Sequence, residues 1–133
     1  MFKSPFWLMA GLTIAVSVMH WLALVNDYYW AIWWYDIVMH FLGGCLIVSI
    51  LFWIDRWRET NLATTFARIF LWIMAVGAAW EIYELYFGLT FIDARGYRFD
   101  TVLDLIMNVT GAAAAYFFTR TEKSPAAAGD FSV

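Results

Sequence analysis

Asp36 and His40 stand four residues apart, Glu81 and Glu84 three apart, and Asp100, Asp104 and Asn108 at successive intervals of four. On an α-helix such spacings put the side chains of each set on one face. Carboxylates beside an imidazole are equipped for general acid–base chemistry or for binding a cation. Gathered in one low-dielectric pocket, His40, Glu81, Glu84 and Asp104 cannot all be charged without compensation. Either some carry protons, or Arg98 or Arg95 swings in, or a cation binds. Carboxylates on paired helices with a histidine are similar to the di-metal carboxylate bundles, although Glu81-x-x-Glu84 is not their Glu-x-x-His. Oxygen donors suit Mg²⁺, Mn²⁺ or Ca²⁺, and a histidine widens the choice toward Zn²⁺ or Fe²⁺. Spacing leaves a divalent cation on Glu81, Glu84, His40 and Asp104 and a shared-proton network equally open.

The elements that position these residues follow from composition. Of 133 residues 64% are hydrophobic and only 14% charged, against about 25% charged in a soluble domain. So short a chain has too little interior to hide nine Trp, seven Tyr and twelve Phe from water. Lipid is therefore the expected solvent. Four apolar segments, Phe6–Val25, Asp36–Ile54, Arg68–Gly88 and Thr101–Thr119, are each close to the ~20 residues needed to span the hydrocarbon core. The expected fold is an all-α membrane protein, a four-transmembrane-helix bundle. Residues 1–120 form the membrane domain and 121–133 a disordered cytoplasmic tail. The first segment follows Lys3 like a signal peptide but runs into His20 and Trp21 rather than a small-residue cleavage site, so it is expected to be retained. No internal repeat is visible. A net charge of −3 without a basic run argues against nucleic acid.

Lys3, Arg56, Arg58, Arg68, Arg120 and Lys123 fall on one side of this arrangement, and Arg95 and Arg98 on the other. The positive-inside rule then places both termini in the cytoplasm. Trp30, Trp33, Trp34 and Tyr35 form an outer aromatic belt, and Trp53 and Trp57 mark the inner interface. Because the helices alternate in direction, His20, Asp36, His40, Glu81, Glu84, Asp100, Asp104 and Asn108 all fall toward the outer leaflet. A carboxylate facing lipid near mid-membrane would cost about 2.5–3.5 kcal/mol, so the polar stripes are expected to point inward. Gly43, Gly44, Gly77–Ala79 and Gly111–Ala115 favour close helix packing, and the inner half is expected to be dry and tight beneath a polar outer cavity.

Simpler roles compete for several of these residues. Asp36 and Asp100 open helices and could serve as caps. His20 reads as a hydrogen-bonded core histidine, Asn108 as an interhelical hydrogen bond and Cys45 as a small core residue. Asp93 and the connector tyrosines read as solvated or interfacial.

Three ordered stretches also carry a resemblance: Asp36-Ile-Val-Met-His40-Phe41, Trp80-Glu81-Ile-Tyr-Glu84, and Asp100 through Asp104 and Asn108 to Gly111. Together they resemble the VanZ-like membrane proteins, closest to their YjdF-type inner-membrane relatives. Arg98, Asp104, Asn108 and Gly111 match that family's Arg…Asp-x-x-x-Asn-x-x-Gly. Ile37 stands where those proteins often have Lys, and Glu84 where they often have Gln, so this site is the more negative. VanZ itself is associated with resistance to a glycopeptide antibiotic that acts outside the membrane, and the resemblance implies an outward, envelope-side site.

The expected function is an outward-facing site that binds, and in one version modifies, the headgroup of a lipid or lipid-linked envelope precursor. Glu81 or Glu84 would be general base or metal ligand, and His40 the acid–base partner oriented by Asp36. Asp104 would complete the reacting group, and Arg98, Asn108, Asp36 and Asp100 would contact the headgroup. Membrane lipids are the expected partners. The alternative is a non-enzymatic accessory subunit or assembly factor of a larger membrane complex; as partners, such a complex or a homo-oligomer stand beside the lipids. A cation or proton conduit is the weakest reading, because the inner half offers no polar continuation.

Overall fold

The computed structural model describes residues 5–61, 65–89 and 97–121. Asp93, Arg95 and the expected tail beyond residue 121 lie outside them. The described residues form helices α1 (Pro5–Val25), α2 (Tyr28–Ala31), α3 (Tyr35–Arg58), α4 (Phe66–Phe87) and α5 (Tyr97–Thr121). Four stretches of 20 to 24 residues within α1, α3, α4 and α5 are long and apolar enough to cross a membrane. The all-α, four-span architecture is the one expected. The helices overrun the expected segments mainly at interfacial ends, where Trp57, Arg58 and Tyr97 extend them.

Local chemistry sets the helix ends. Thr65 caps α4, its hydroxyl accepting from the Arg68 amide at 3.4 Å. Gly88 closes the same helix in the left-handed region at φ 69°, a conformation that costs glycine little, and its N–H returns to the Glu84 carbonyl. Glu84 is thereby fixed in the last turn of α4. Asp36 does not cap α3: the cap position is Trp34, with no side-chain cap bond, and Asp36 lies inside the first turn. Asp100 likewise falls within the first turn of α5 rather than ahead of it. Both carboxylates are therefore free to face the bundle.

α3 is the central helix, packed on α5 along one side and α1 along another, while α4 leans mainly on α5. Two glycines bring α3 and α5 together. A Cβ on Gly44 would run into the Asn108 carbonyl, and one on Gly111 into the Phe41 carbonyl. The small residues thus provide backbone proximity, the main source of helix association where apolar burial drives nothing. Below this contact Val48, Leu51, Ile69, Ile73, Ala112, Ala115 and Tyr116 form the buried core. At the other end Ala23, Tyr35 and Met39 form a smaller one. Ile14, Val18 and Trp21 of α1 and Ile82 of α4 are exposed, as apolar side chains turned to lipid would be.

Two expectations about packing fail. Tyr35 is not part of the exposed aromatic belt: it is 6% exposed and its hydroxyl donates to the Met19 carbonyl at 2.8 Å, tying α3 to α1. Trp30, Trp33 and Trp34 do remain exposed. Nor is the half of the bundle away from the polar end uniformly tight. α3 and α5 close on each other, but α3 and α4 diverge and leave a cavity of about 430 Å³ between them. Gly43 lines this space rather than closing it, and Gly77 lines it while also packing against Leu105 of α5, where a Cβ would not fit.

Candidate functional site

The end of α1, the start of α3, the end of α4 and the start of α5 meet at one end of the bundle, and each delivers polar side chains there. α3 supplies Asp36 and, one turn on, His40. α5 supplies Asp100, Asp104 and Asn108 on one stripe, and α4 supplies Glu84. His40, Glu84, Asp104 and Asn108 are all buried.

His40 is the hub. Its Nδ1 lies 3.1 Å from the Asn108 side-chain amide. Its Nε2 lies 3.5 Å from Asp36 Oδ1 and 3.6 Å from Asp104 Oδ1. Glu84 joins Asp36 and His40, and Asp100 joins Asp36 and Asp104, in two groups whose ligand atoms all fall within 4.8 Å. Glu84 Oε1 accepts from Trp80 Nε1 at 2.8 Å, and the Trp80 and His40 rings stand nearly perpendicular with centroids 6.3 Å apart. Among the described residues, no lysine or arginine pairs with Asp36 or Asp104; their ion pairs are with His40.

Three of the four residues expected at the centre, His40, Glu84 and Asp104, are brought together, and Asp36 belongs with them. Glu81 is turned elsewhere, its Oε2 accepting from the Thr101 hydroxyl at 3.1 Å across the α4–α5 contact. A step of three residues along a helix turns about 300°, roughly 60° short of a full turn, enough to send Glu81 and Glu84 to different neighbours. Arg98 is exposed at the first turn of α5, and Asp100 is exposed at the rim.

A second layer was not expected. His20 shares hydrogen bonds with the hydroxyls of Tyr29 at 2.7 Å and Tyr83 at 3.2 Å, and packs edge-on to Trp80. The hydrogen-bonded reading of His20 is therefore the observed one, and its partners are aromatic. Tyr29 is half-buried, not solvated. Burial first, and then the Asp36 and Glu84 carboxylates, hold its phenol well above the ordinary tyrosine value. It remains a proton donor facing the acids. Asn108 bridges α5 to α3 as an interhelical hydrogen bond, and Cys45 is half-buried with its thiol donating to the Gly111 carbonyl at 3.1 Å.

The cavity continues from this polar end. His40, Trp80 and Asn108 close its top; Met39, Ile47, Ile50, Val76, Trp72 and Ile54 line its descent. From Met39 to Ile54 is fifteen residues of α3, about 22 Å at 1.5 Å per residue. The cavity is thus an amphipathic slot, with His40 and Asn108 of the polar cluster at its head and an apolar body.

A four-span helical bundle with such a head defines a multi-pass membrane protein with a buried acidic–histidine cluster. The chain belongs to the DUF2238 family, described as predicted membrane proteins, whose model matches residues 3–124. No curated protein matches it. No solved structure matches it either.

Proposed function

We propose that this protein binds a membrane lipid or lipid-linked envelope precursor, with the headgroup at the Asp36–His40–Glu84–Asp104 end and one apolar chain in the cavity between α3 and α4. The observation that carries this reading is continuity: one cavity has His40 and Asn108 at its top and Ile54 and Trp72 at its foot. Few ligand classes are polar over one short end and apolar over about 20 Å, and a membrane lipid is one. Charge complementarity points the same way. The acidic head would favour an amine-bearing or cation-bridged headgroup over a bare anion.

The polar end faces outward in this proposal, supported by six Lys and Arg against two in the distribution along the sequence. The resemblance of the three motif stretches to the VanZ-like proteins supports an envelope-side role in a bacterial inner membrane. Arg98 and Asp100, exposed at the rim, would meet the solvated part of the headgroup.

Native mass spectrometry of the detergent-purified protein tests the reading. One lipid per chain should survive delipidation, and Ile50→Trp, which fills the cavity, should expel it. Val18→Trp, on the lipid-facing side of α1, should not. Lipid retained equally by both variants would refute the cavity as the binding place.

A further inference from the structure

Three buried polar atoms come together at the centre of the cluster. His40 Nε2, Asp36 Oδ1 and Asp104 Oδ1 are buried atoms that lack a hydrogen-bond partner. His40 is 5% exposed and Asp104 3%. The Nε2 separations of 3.5 and 3.6 Å exceed the 2.7–3.2 Å of ordinary N–H···O bonds. They match another geometry. An ion with N and O ligands at 2.0–2.2 Å and near-tetrahedral angles holds those ligands about 3.3–3.6 Å apart. His40 Nε2 stands at that spacing from both aspartate oxygens, and Asp36 and Asp104 themselves fall in one group of ligand atoms within 4.8 Å.

We propose that Asp36, His40 and Asp104 hold one first-row divalent transition-metal ion, with Glu84 as the fourth ligand residue. Glu84 belongs to the same close group as Asp36 and His40, and Trp80 engages only its Oε1. An imidazole among carboxylates selects Mn²⁺, Fe²⁺ or Zn²⁺ over Mg²⁺ and Ca²⁺, which prefer oxygen alone. Thiolate ligation is absent from the set, since the Cys45 thiol is committed to the Gly111 carbonyl. A divalent charge also offsets two aspartates in surroundings where unpaired carboxylates are costly.

Asn108 is then a positioning residue. For Nε2 to present its lone pair, Nδ1 must carry the imidazole hydrogen and donate it to an acceptor. The Asn108 amide stands 3.1 Å away with Nδ2 facing Nδ1. A half-turn of that amide brings Oδ1 to the same place, the orientation the ion requires. In the orientation with Nδ2 toward the ring, Nε2 carries the hydrogen and the ion is excluded.

This inference stands apart from the lipid reading, because ion content and lipid retention are measured separately. Full-length protein in detergent would be stripped with chelator, reloaded with Mn²⁺ or Zn²⁺, desalted and analysed for metal. One ion per chain is expected, and Mn²⁺ electron-spin-echo spectra should show ¹⁴N modulation from one imidazole. His40→Gln should abolish that modulation, Asp104→Asn should weaken binding at least tenfold, and Asn108→Leu should weaken it by about 10–100-fold. Asn108→Asp, which keeps an acceptor on Nδ1, should bind more tightly than Asn108→Leu. Glu59→Gln, at an exposed position after α3, should change nothing. Should a site variant fail to fold, the parent still decides: its melting temperature should rise with Mn²⁺ or Zn²⁺ and not with Mg²⁺. Substoichiometric metal with no thermal shift, or a bound Mn²⁺ without ¹⁴N modulation, would overturn the proposal and leave a hydrated acid–imidazole cluster.

Discussion

Gly44 and Asn108 meet in the α3–α5 contact, and no Cβ fits between them. The same contact that brings the Asn108 backbone against Gly44 sets its side chain 3.1 Å from His40. Helix packing and the candidate site are therefore one structural feature, and disturbing the first should disturb the second.

Glycine substitutions should separate sharply on this basis. Gly111→Val drives a side chain into the Phe41 backbone, where overpacking costs at least about 1–3 kcal/mol. Gly11→Ala has nothing within 4 Å of the new Cβ and should be neutral or stabilise α1 by up to about 1 kcal/mol. Thermal melts in one detergent check both. Equal effects would contradict the packing described.

Asn108→Ala should leave the buried His40 Nδ1 without its partner. The expected loss is about 1–3 kcal/mol, the usual cost of an unsatisfied buried polar group. The measurement is the melting temperature of metal-free protein, so that ion binding does not enter. An unchanged melt would show that the His40–Asn108 bond contributes nothing to the fold.

These residues also show how far the sequence could be read. Four spans were legible because length and apolar composition leave a chain of this size no other solvent. The His40–Asp36 and Asp104–Asn108 stripes were legible because a spacing of four fixes a helix face. Tyr29, Tyr83 and Trp80 were not, because in a chain with 21% aromatic residues one more aromatic carries no contrast. Glu81 was placed with Glu84 by spacing, but α5 offers Thr101 to one and α3 offers His40 and Asp36 near the other. The cavity was hidden for a different reason. A small residue permits either close approach or a void, and Gly44 does the first while Gly43 does the second.

Tyr29 gives a pH dependence of known sign. Its phenol is held above the ordinary value of 10.0, so the folded state keeps this proton more tightly than the unfolded chain. The associated stability is complete below pH 10 and is lost as pH rises from there toward the folded-state value. Tyr29→Phe should be less stable than the parent at pH 8, where the bond to His20 is missing, by about 0.5–1.5 kcal/mol. The difference should shrink above pH 10. A difference constant to pH 11.5 would mean that Tyr29 titrates as a free phenol.

The cavity as the seat of a lipid chain is the central claim, and photo-crosslinking addresses it most directly. Protein reconstituted in vesicles with a trace of phospholipid carrying a diazirine midway along one chain would be irradiated, digested and mapped. Labelling should concentrate on Ile47, Ile50, Trp72 and Val76, which line the cavity, and should disappear in Ile50→Trp. Labelling spread over lipid-facing Ile14, Val18 and Ile82 with no excess in the cavity would contradict the account.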